Sequence, residues 1–486
     1  MAKNNANVKH TRRVKDDPGQ TAYFFGESYV QLWETLTAAW EKNGEKIKDS
    51  FFGIGEVWGD SNVYTAICLS IFKLAILISV AVFGTIFTAV FSLIHIVFLL
   101  ILSLLVYLGF VLLRGINAIY SVMRGIGTNC YNSECQRKFT LPVYVCPRCK
   151  AKHYKLVPSK FGILKRKCTC GALLPTTFIN GRQKLESLCP HCEHSAIKGA
   201  NKNLLIPVIG GVAAGKTTFI TFAINQIEKQ APSYKLHYEY VQGDEMKDNL
   251  GRVQSGAWPK KTGQHSLKYY NFYLSPEKSK IKTLVSVCDI SGEVFARQSD
   301  LVKQQGYRFA DGLLLVVDPL SIVEFKREIK KQLAEEEFDK FNASTQSMND
   351  VLSGLINTLE GLHHMNAKDS LKKSIVIVFT KNDIPGLEER IGESAIQEYL
   401  RANPTKDYCT ASNVLCEQFL MDYAEDSFLH TVKGKFAHVQ FFSCSALNGD
   451  EKKNGFAPKN MEKPLLWLID KASKDMNVSS LWGKKI

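Results

Sequence analysis

Hydrophobic and polar positions divide the chain into stretches of different rhythm. From 28 to 42, Tyr29, Trp33, Leu36 and Trp40 recur at helical spacing. The spacing predicts an amphipathic helix, lying on a membrane interface or packed on a neighbour. Residues 74–113 have no rhythm: all forty positions lack Asp, Glu, Lys and Arg, and His95 is their single histidine. One helix of that length would run about 60 Å, twice the hydrocarbon thickness of a bilayer. Two spans are therefore expected, with Lys73 near the start of the first or buried one turn inside it, a turn within 85–95 and both ends on one side. His95 is read as a hairpin-tip or interfacial residue. Lys46, Lys48, Arg114 and Arg124 flank the run, which puts that side in the cytoplasm. A signal peptide is not expected, because the run starts too late and is too long.

Beyond residue 200 the rhythm changes again. Short apolar runs end in glycine or polar residues at "LLIPVIGG", "TLVSVCD", "VIVFTKND" and "FFSCSALNG". They read as strands. "SIVEFKREIKKQLAEEEFDKF" is a charged helix and "MNDVLSGLINTLEGLHHM" an amphipathic one, both expected to pack on the domain surface or to offer a partner face.

Composition adds two constraints. The 486 residues allow two or three domains, and 61 basic against 47 acidic residues leave +14, which favours nucleotide, nucleic acid or lipid head groups as partners. Lys3, Lys9, Arg12, Arg13 and Lys15 make residues 1–20 a basic tail expected to be disordered. Of 13 cysteines, eight fall between 130 and 192, in pairs: Cys130 and Cys135, Cys146 and Cys149, Cys168 and Cys170, Cys189 and Cys192. Paired thiols at this density read as metal ligation in a reducing compartment. Four thiolates satisfy one tetrahedral Zn²⁺, so two structural zinc ions are expected. The inner pairs would make a zinc ribbon and the outer pairs a second site around it; tandem sites and a cross-brace are the other connectivities. His153, His191 and His194 are spare ligand candidates, each read first as a surface histidine. The basic "KFGILKRK" (160–167) permits nucleic-acid binding, but the aromatic–basic interleaving that would call for it is missing.

"GGVAAGKT" supplies candidate chemistry. Gly210, Gly215, Lys216 and Thr217 have the spacing of a phosphate-binding loop, between an apolar strand and a helical stretch. Backbone N–H groups at Gly210, Gly211, Gly215 and Thr218 would cradle phosphates, Lys216 would reach the β- and γ-phosphates, and Thr217 would ligate Mg²⁺. A carboxylate for the magnesium is expected at the end of another strand, and Asp289 stands there, with Gly292 placed to sense the γ-phosphate. Thr380, Lys381 and Asp383 fit a guanine reader. Two carboxylate oxygens match the N1–H and N2–H₂ donors of guanine, the Lys381 stem would cover the base, and a backbone N–H at Ser445–Ala446 would meet O6.

With four motifs in order, the chain resembles the Ras-like, TRAFAC-class P-loop GTPases over about 200–475. The resemblance implies GTP and GDP as ligands and an α/β fold: a mostly parallel sheet with helices on both faces. Strands are implied near 204–209, 267–274, 283–288, 312–318, 375–379 and 438–443, with a last helix near 462–474 and the second and third strands as the one antiparallel pair. It also implies a magnesium-binding switch threonine, for which Thr262 is the best candidate and Ser255 and Ser266 weaker ones. Joined to the cysteine ribbon, the domain looks like the bacterial double-GTPase group of conflict and antiviral systems. With one GTPase domain visible, a second GTPase or an activating protein is implied on another chain. Two departures stand out. Residues 225–262 make the span from Lys216 to Asp289 long, and 319–372 is a second insertion. Glu293 stands where such proteins often carry a water-orienting glutamine, so slow intrinsic hydrolysis is expected.

The expected layout is a tail and amphipathic helix (1–63), a membrane hairpin (64–114), a zinc-ribbon module (125–197), the GTPase domain (200–475) and a tail (476–486). The leading reading is a GTP-binding, GTP-hydrolysing switch held to membrane lipids, with ribbon and GTPase domain on the cytoplasmic side. Two others stand beside it: a zinc-ribbon membrane scaffold whose nucleotide site is structural, and a nucleic-acid-sensing ribbon coupled to a GTPase. Intact Lys216, Thr217 and Asp289 favour the first, and Asp383 disfavours a generic ATPase.

Overall fold

The computed structural model describes residues 18–60, 62–123, 128–130, 135, 137–196, 202–241, 244–260, 267–277, 282–290, 309–363, 371–447, 456–473, 476, 478 and 482. The expectations on residues 1–17, Thr262, Ser266, Gly292 and Glu293 lie outside these residues. The chain forms two compact units. One takes the described residues up to Met123 with Val143–Leu188; the other takes those of 124–142 and 189–486.

In the first unit, helix α1 (Glu27–Asp60) is followed by α2 (Val63–Ser79), a π-helical turn (Val80–Gly84) and α3 (Thr85–Met123), which run on as one rod. The expected turn within 85–95 is absent, and the hairpin of two apolar spans is replaced by a single helix. Nothing there breaks a helix: the Thr88 hydroxyl donates to Gly84 O (2.9 Å) and Ser92 to Thr88 O (2.7 Å), so the polar side chains are satisfied inside the rod. The irregularity falls earlier, at the π turn. The chain does reverse, but before the apolar run, where the Asn62 side chain caps Val63 N–H (2.9 Å). Helix α1 then lies antiparallel along the rod. Lys73 Nζ donates to Gly53 O (2.5 Å), Asn43 Nδ2 to Thr85 Oγ1 (3.3 Å), and Tyr29 OH meets Ser103 Oγ (3.2 Å).

Short strands follow: β1 (Thr128–Asn129) with β2 (Lys138–Phe139) in the second unit, and in the first β3 (Val143–Val145), paired antiparallel with β4 (Lys152–His153). Strands β5 (Lys165–Lys167) and β6 (Leu173–Pro175) form a hairpin, and β7 (Ser187–Leu188) pairs with β3. Too few apolar residues are present here for an ordinary core, and two buried arginines fill it. Arg182 donates to Leu156 O and Thr176 O (both 2.8 Å) with its guanidinium 4.4 Å from the Phe178 ring centroid. Arg166, from the basic stretch that permitted nucleic-acid binding, is also buried and donates to Lys155 O and Ser159 Oγ (3.0 Å each). His153, read as a surface residue, is fully buried.

The second unit, after the short β8 (Ser195–Ala196), is a seven-stranded sheet in the order β10-β11-β12-β9-β13-β14-β15. These strands are β9 (Lys202–Gly210), β10 (Leu236–Tyr240), β11 (Leu267–Pro276), β12 (Thr283–Ile290), β13 (Leu313–Val317), β14 (Leu371–Phe379) and β15 (Phe436–Ser443). The five from β12 to β15 are parallel. They read as unbroken apolar runs because both faces are covered: Leu204, Ile206 and Val208 enter one core and Leu205 and Ile209 the other. Helix α4 (Lys216–Gln230) and helix Lys463–Ser473 cover the first face. The second is covered by helices Val323–Gln332, Glu335–Lys340 and Met348–His363, which form the 319–372 segment, together with Tyr408–Asp422 and Asp426–Lys435.

Two expectations are corrected. Among the described residues the seven-stranded sheet has two antiparallel pairs rather than one, because the first insertion adds β10 at the sheet edge before helix α5 (Asp244–Gln254). "LHYEY" alternates apolar and polar positions, the signature of a strand covered on one side. The expected single charged helix after Asp318 is two, broken at Leu333, whose backbone is extended.

Candidate functional site: a nucleotide cleft and two thiolate quartets

Strand β9 delivers the phosphate loop at its carboxyl end, and α4 carries the chain away. Gly210 is required there: a Cβ would stand 2.5 Å from Val316 O. Ala213 (φ 62°) and Gly215 (φ 86°) take left-handed backbone, which turns successive N–H groups to one side and makes an anion-binding nest. Such a conformation costs an alanine roughly 1–2 kcal/mol, so the loop needs outside support.

Lys216 is buried and its Nζ donates to Gly210 O (3.0 Å) and Gly211 O (2.8 Å). Burial pushes its pKa from 10.5 down to about 8, opposed by the charge of Asp289. The lowered value has a sign. The buried ammonium weakens the fold below about 8, and stability recovers as pH rises from about 8 toward 10.5. Phosphate binding runs the other way, because it uses the ammonium. GDP affinity is expected to fall as pH rises through about 8, by up to about tenfold per unit beyond it. Titration of the full chain with a fluorescent GDP at several pH values checks this; an affinity flat through pH 9 (about one unit above) would refute it.

Thr217 and Asp289, 72 residues apart, meet: Thr217 Oγ1 donates to Asp289 Oδ2 at 2.8 Å. Asp289 is fully buried. A hydroxyl and a carboxylate converging at the phosphate loop are oxygen donors of the kind Mg²⁺ takes. Ser255, the weaker switch candidate, is engaged by its own helix end, its Oγ donating to Arg252 O (2.9 Å).

The other end of the cleft is built by β14 and β15. Thr380 Oγ1 donates to Ala214 O (3.0 Å), so this residue ties the strand end to the phosphate loop. Lys381 adopts φ 58°, and its Nζ donates to Asp318 Oδ2 (2.6 Å) and Asn342 O (3.0 Å). Ser445 Oγ donates to the Asp383 carboxylate, fixing the group expected to read guanine. A cavity of about 590 Å³ joins these pieces: Gly215, Thr218, Thr380, Lys381, Asp383 and Ala446 line it. Its walls include residues that sequence reasoning missed, Trp258 from the first insertion and Leu333 and Phe341 from the second. Asp318 was missed too. Its one signal was an acidic residue ending the apolar run "LLLVV".

The cysteines form the expected inner and outer quartets. Cys146, Cys149, Cys168 and Cys170 gather in the first unit, and Cys130, Cys135, Cys189 and Cys192 in the second; within each, all sulfurs lie within 4.8 Å. Four sulfurs about 2.3 Å from a tetrahedral zinc stand about 3.8 Å apart. The observed Cys146–Cys170 (3.7 Å), Cys149–Cys168 (3.6 Å), Cys130–Cys192 (3.4 Å) and Cys135–Cys189 (3.9 Å) separations fit. Both quartets can hold zinc structurally, with no position left open for catalysis.

The Double-GTPase 2 family model matches residues 204–418, from β9 to helix Tyr408–Asp422. No curated protein matches the chain. Among solved structures, Methanosarcina barkeri Roco2 RocCORdC bound to GDP is similar at 9% identity and a TM-score of 0.23, over 56% of this chain and 50% of that one. The chain thus spans about half the length of that structure. With the phosphate loop, the Thr217–Asp289 pair and Asp383 assembled within the matched segment, residues 204–418 are a P-loop GTPase domain of the double-GTPase group.

Proposed function

We propose that the protein is a membrane-anchored switch that binds Mg-GTP, hydrolyses it slowly alone, and is accelerated by a protein partner. The observation that carries the magnesium part is the Thr217–Asp289 contact at the end of the phosphate loop. The anchor rests on the Val63–Tyr120 rod, whose most apolar window has a mean hydropathy of 3.1 and holds no buried residue. At about 1.5 Å per residue a rod this long exceeds one bilayer crossing, and part of it lies outside the hydrocarbon. The ribbon and GTPase domain face the cytoplasm in this reading, where GTP is available. Slow turnover rests on Glu293, since a carboxylate near a γ-phosphate repels charge. The partner is a second GTPase or an activating protein, and work in bacterial defence or signalling rests on the resemblance alone.

The test uses the full chain in detergent micelles and in liposomes. GTP with Mg²⁺ is expected to bind at least about 100-fold more tightly than ATP, a difference of ~2.7 kcal/mol. Turnover is expected near 10⁻³ s⁻¹, about that of an unassisted GTPase, and the chain should float with liposomes after carbonate washing. Release by carbonate would sink the anchor. Magnesium-independent GTP binding without turnover would leave a scaffold with a structural nucleotide.

A further inference from the structure

The segment between β13 and β14 does more than cover a sheet face. Its turn at 342–346 meets both ends of the nucleotide cleft. Asn342 O accepts from Lys381 Nζ (3.0 Å), and Ser344 N–H donates to Asp318 Oδ2 (2.7 Å), the oxygen that also accepts from Lys381. Gln346 Oε1 accepts from the Val212 N–H of the phosphate loop (3.0 Å). The approach is close: a Cβ on Gly211 would stand 2.8 Å from Ser344 Oγ and 3.3 Å from Gln346 Cβ and Oε1. Asp318 is fully buried and Ser344 nearly so, which makes this strap a built connection.

We infer that Gln346 is a positioning residue for GTP hydrolysis, acting through the Val212 N–H rather than by touching the nucleotide. The inference rests on the GTPase reading above. Its physical content is local. Ala213, next to Val212, holds left-handed backbone that no glycine relieves. The cradle works only if that turn persists, since it aims the following amides at the phosphates. Gln346 holds Val212 on one side of the turn, and Thr380 holds Ala214 O on the other. Without Gln346 the turn relaxes, and the amides no longer face the γ-phosphate in the geometry where charge develops during transfer. The strap also places the residue that disciplines the phosphate loop on the segment expected to face partners.

The test compares the full chain in micelles with Gln346→Met, which keeps volume without an acceptor, and Gln346→Glu, which keeps an acceptor oxygen. Single-turnover GTP hydrolysis, GDP affinity and melting temperature are measured for each. The expected result for Gln346→Met is a rate about five- to tenfold lower, in keeping with one lost hydrogen bond, with GDP affinity within about threefold and melting within about 2 °C. Gln346→Glu should recover at least about half the rate at high salt, where charge is screened. An unchanged rate in Gln346→Met overturns the inference alone. Equal losses in Met and Glu assign the effect to the carboxamide NH₂ and also overturn it. A wild-type chain that binds no GTP overturns the GTPase reading, and this inference with it.

Discussion

Asp383→Asn is expected to cut GTP affinity about a thousandfold, since it removes two charge-assisted hydrogen bonds worth roughly 2 kcal/mol each. The Asp383 carboxylate lines the cleft with one oxygen held by Ser445, so its direction is set before any base arrives. Guanine offers two adjacent donors, and a carboxylate accepts both. An asparagine turns one acceptor into a donor and meets N1–H or N2–H₂ with the wrong group. Xanthosine triphosphate, which carries an oxygen in place of the 2-amino group, should gain affinity in the same variant. Competition of GTP, ATP and XTP against a fluorescent GDP reads all three. A variant that keeps its preference for GTP over ATP would mean that base selection lies with the other cavity walls, Trp258, Leu333 and Phe341.

Loss of zinc is expected to have the second large effect, and to act separately on the two units. Structural zinc contributes about 10 kcal/mol or more of folding free energy to small domains. The first unit's ribbon has β-strands of two or three residues and a small core in which Arg166 and Arg182 are buried beside Val143, Tyr144, Leu156 and Leu174, too little to stand alone. Cys168→Ser should reduce bound zinc from two ions to one and open 143–188 to protease. GTP affinity should stay within about threefold, because the nucleotide residues all belong to the other unit. Cys189→Ser should behave differently. The β1–β2 knuckle that it closes sits beside β9, and Lys138 of that knuckle pairs with Asp311 (3.9 Å), which in turn accepts from Leu205 N–H (2.9 Å). Its loss should lower the melting temperature of the GTPase unit by several degrees, about 2–4 °C per kcal/mol. Zinc counting by elemental analysis, limited proteolysis and thermal melting of each variant check the pair. Intact ribbon in Cys168→Ser would show that the thiols are not ligands.

Where chemistry is local, the chain alone was enough. A phosphate loop is one strand end, a glycine-permitted turn and one helix start, all consecutive, so "GGVAAGKT" is legible without a fold. The same holds for the cysteine pairs, since each pair sits on its own tight turn, although their pairing across 24 and 62 residues needed tertiary structure. Asp289 and Asp383 were legible at one remove, because an apolar run ending in a carboxylate marks a strand's exit at the sheet edge where ligands sit. The apolar rod shows the limit of counting. Length argued for a turn within 85–95, yet hydroxyls satisfied by their own helix leave nothing to break it, and the reversal fell at Asn62 instead. The extra edge strand β10 was missed because five alternating residues acquire meaning only beside β11. Ser344 and Gln346 carry no motif, and Asp318 shows only the acidic end of an apolar run. What they do depends on a turn from a segment of no fixed pattern arriving within hydrogen-bonding distance of Lys381 and Val212, a long-range coincidence of packing that spacing along the chain does not encode.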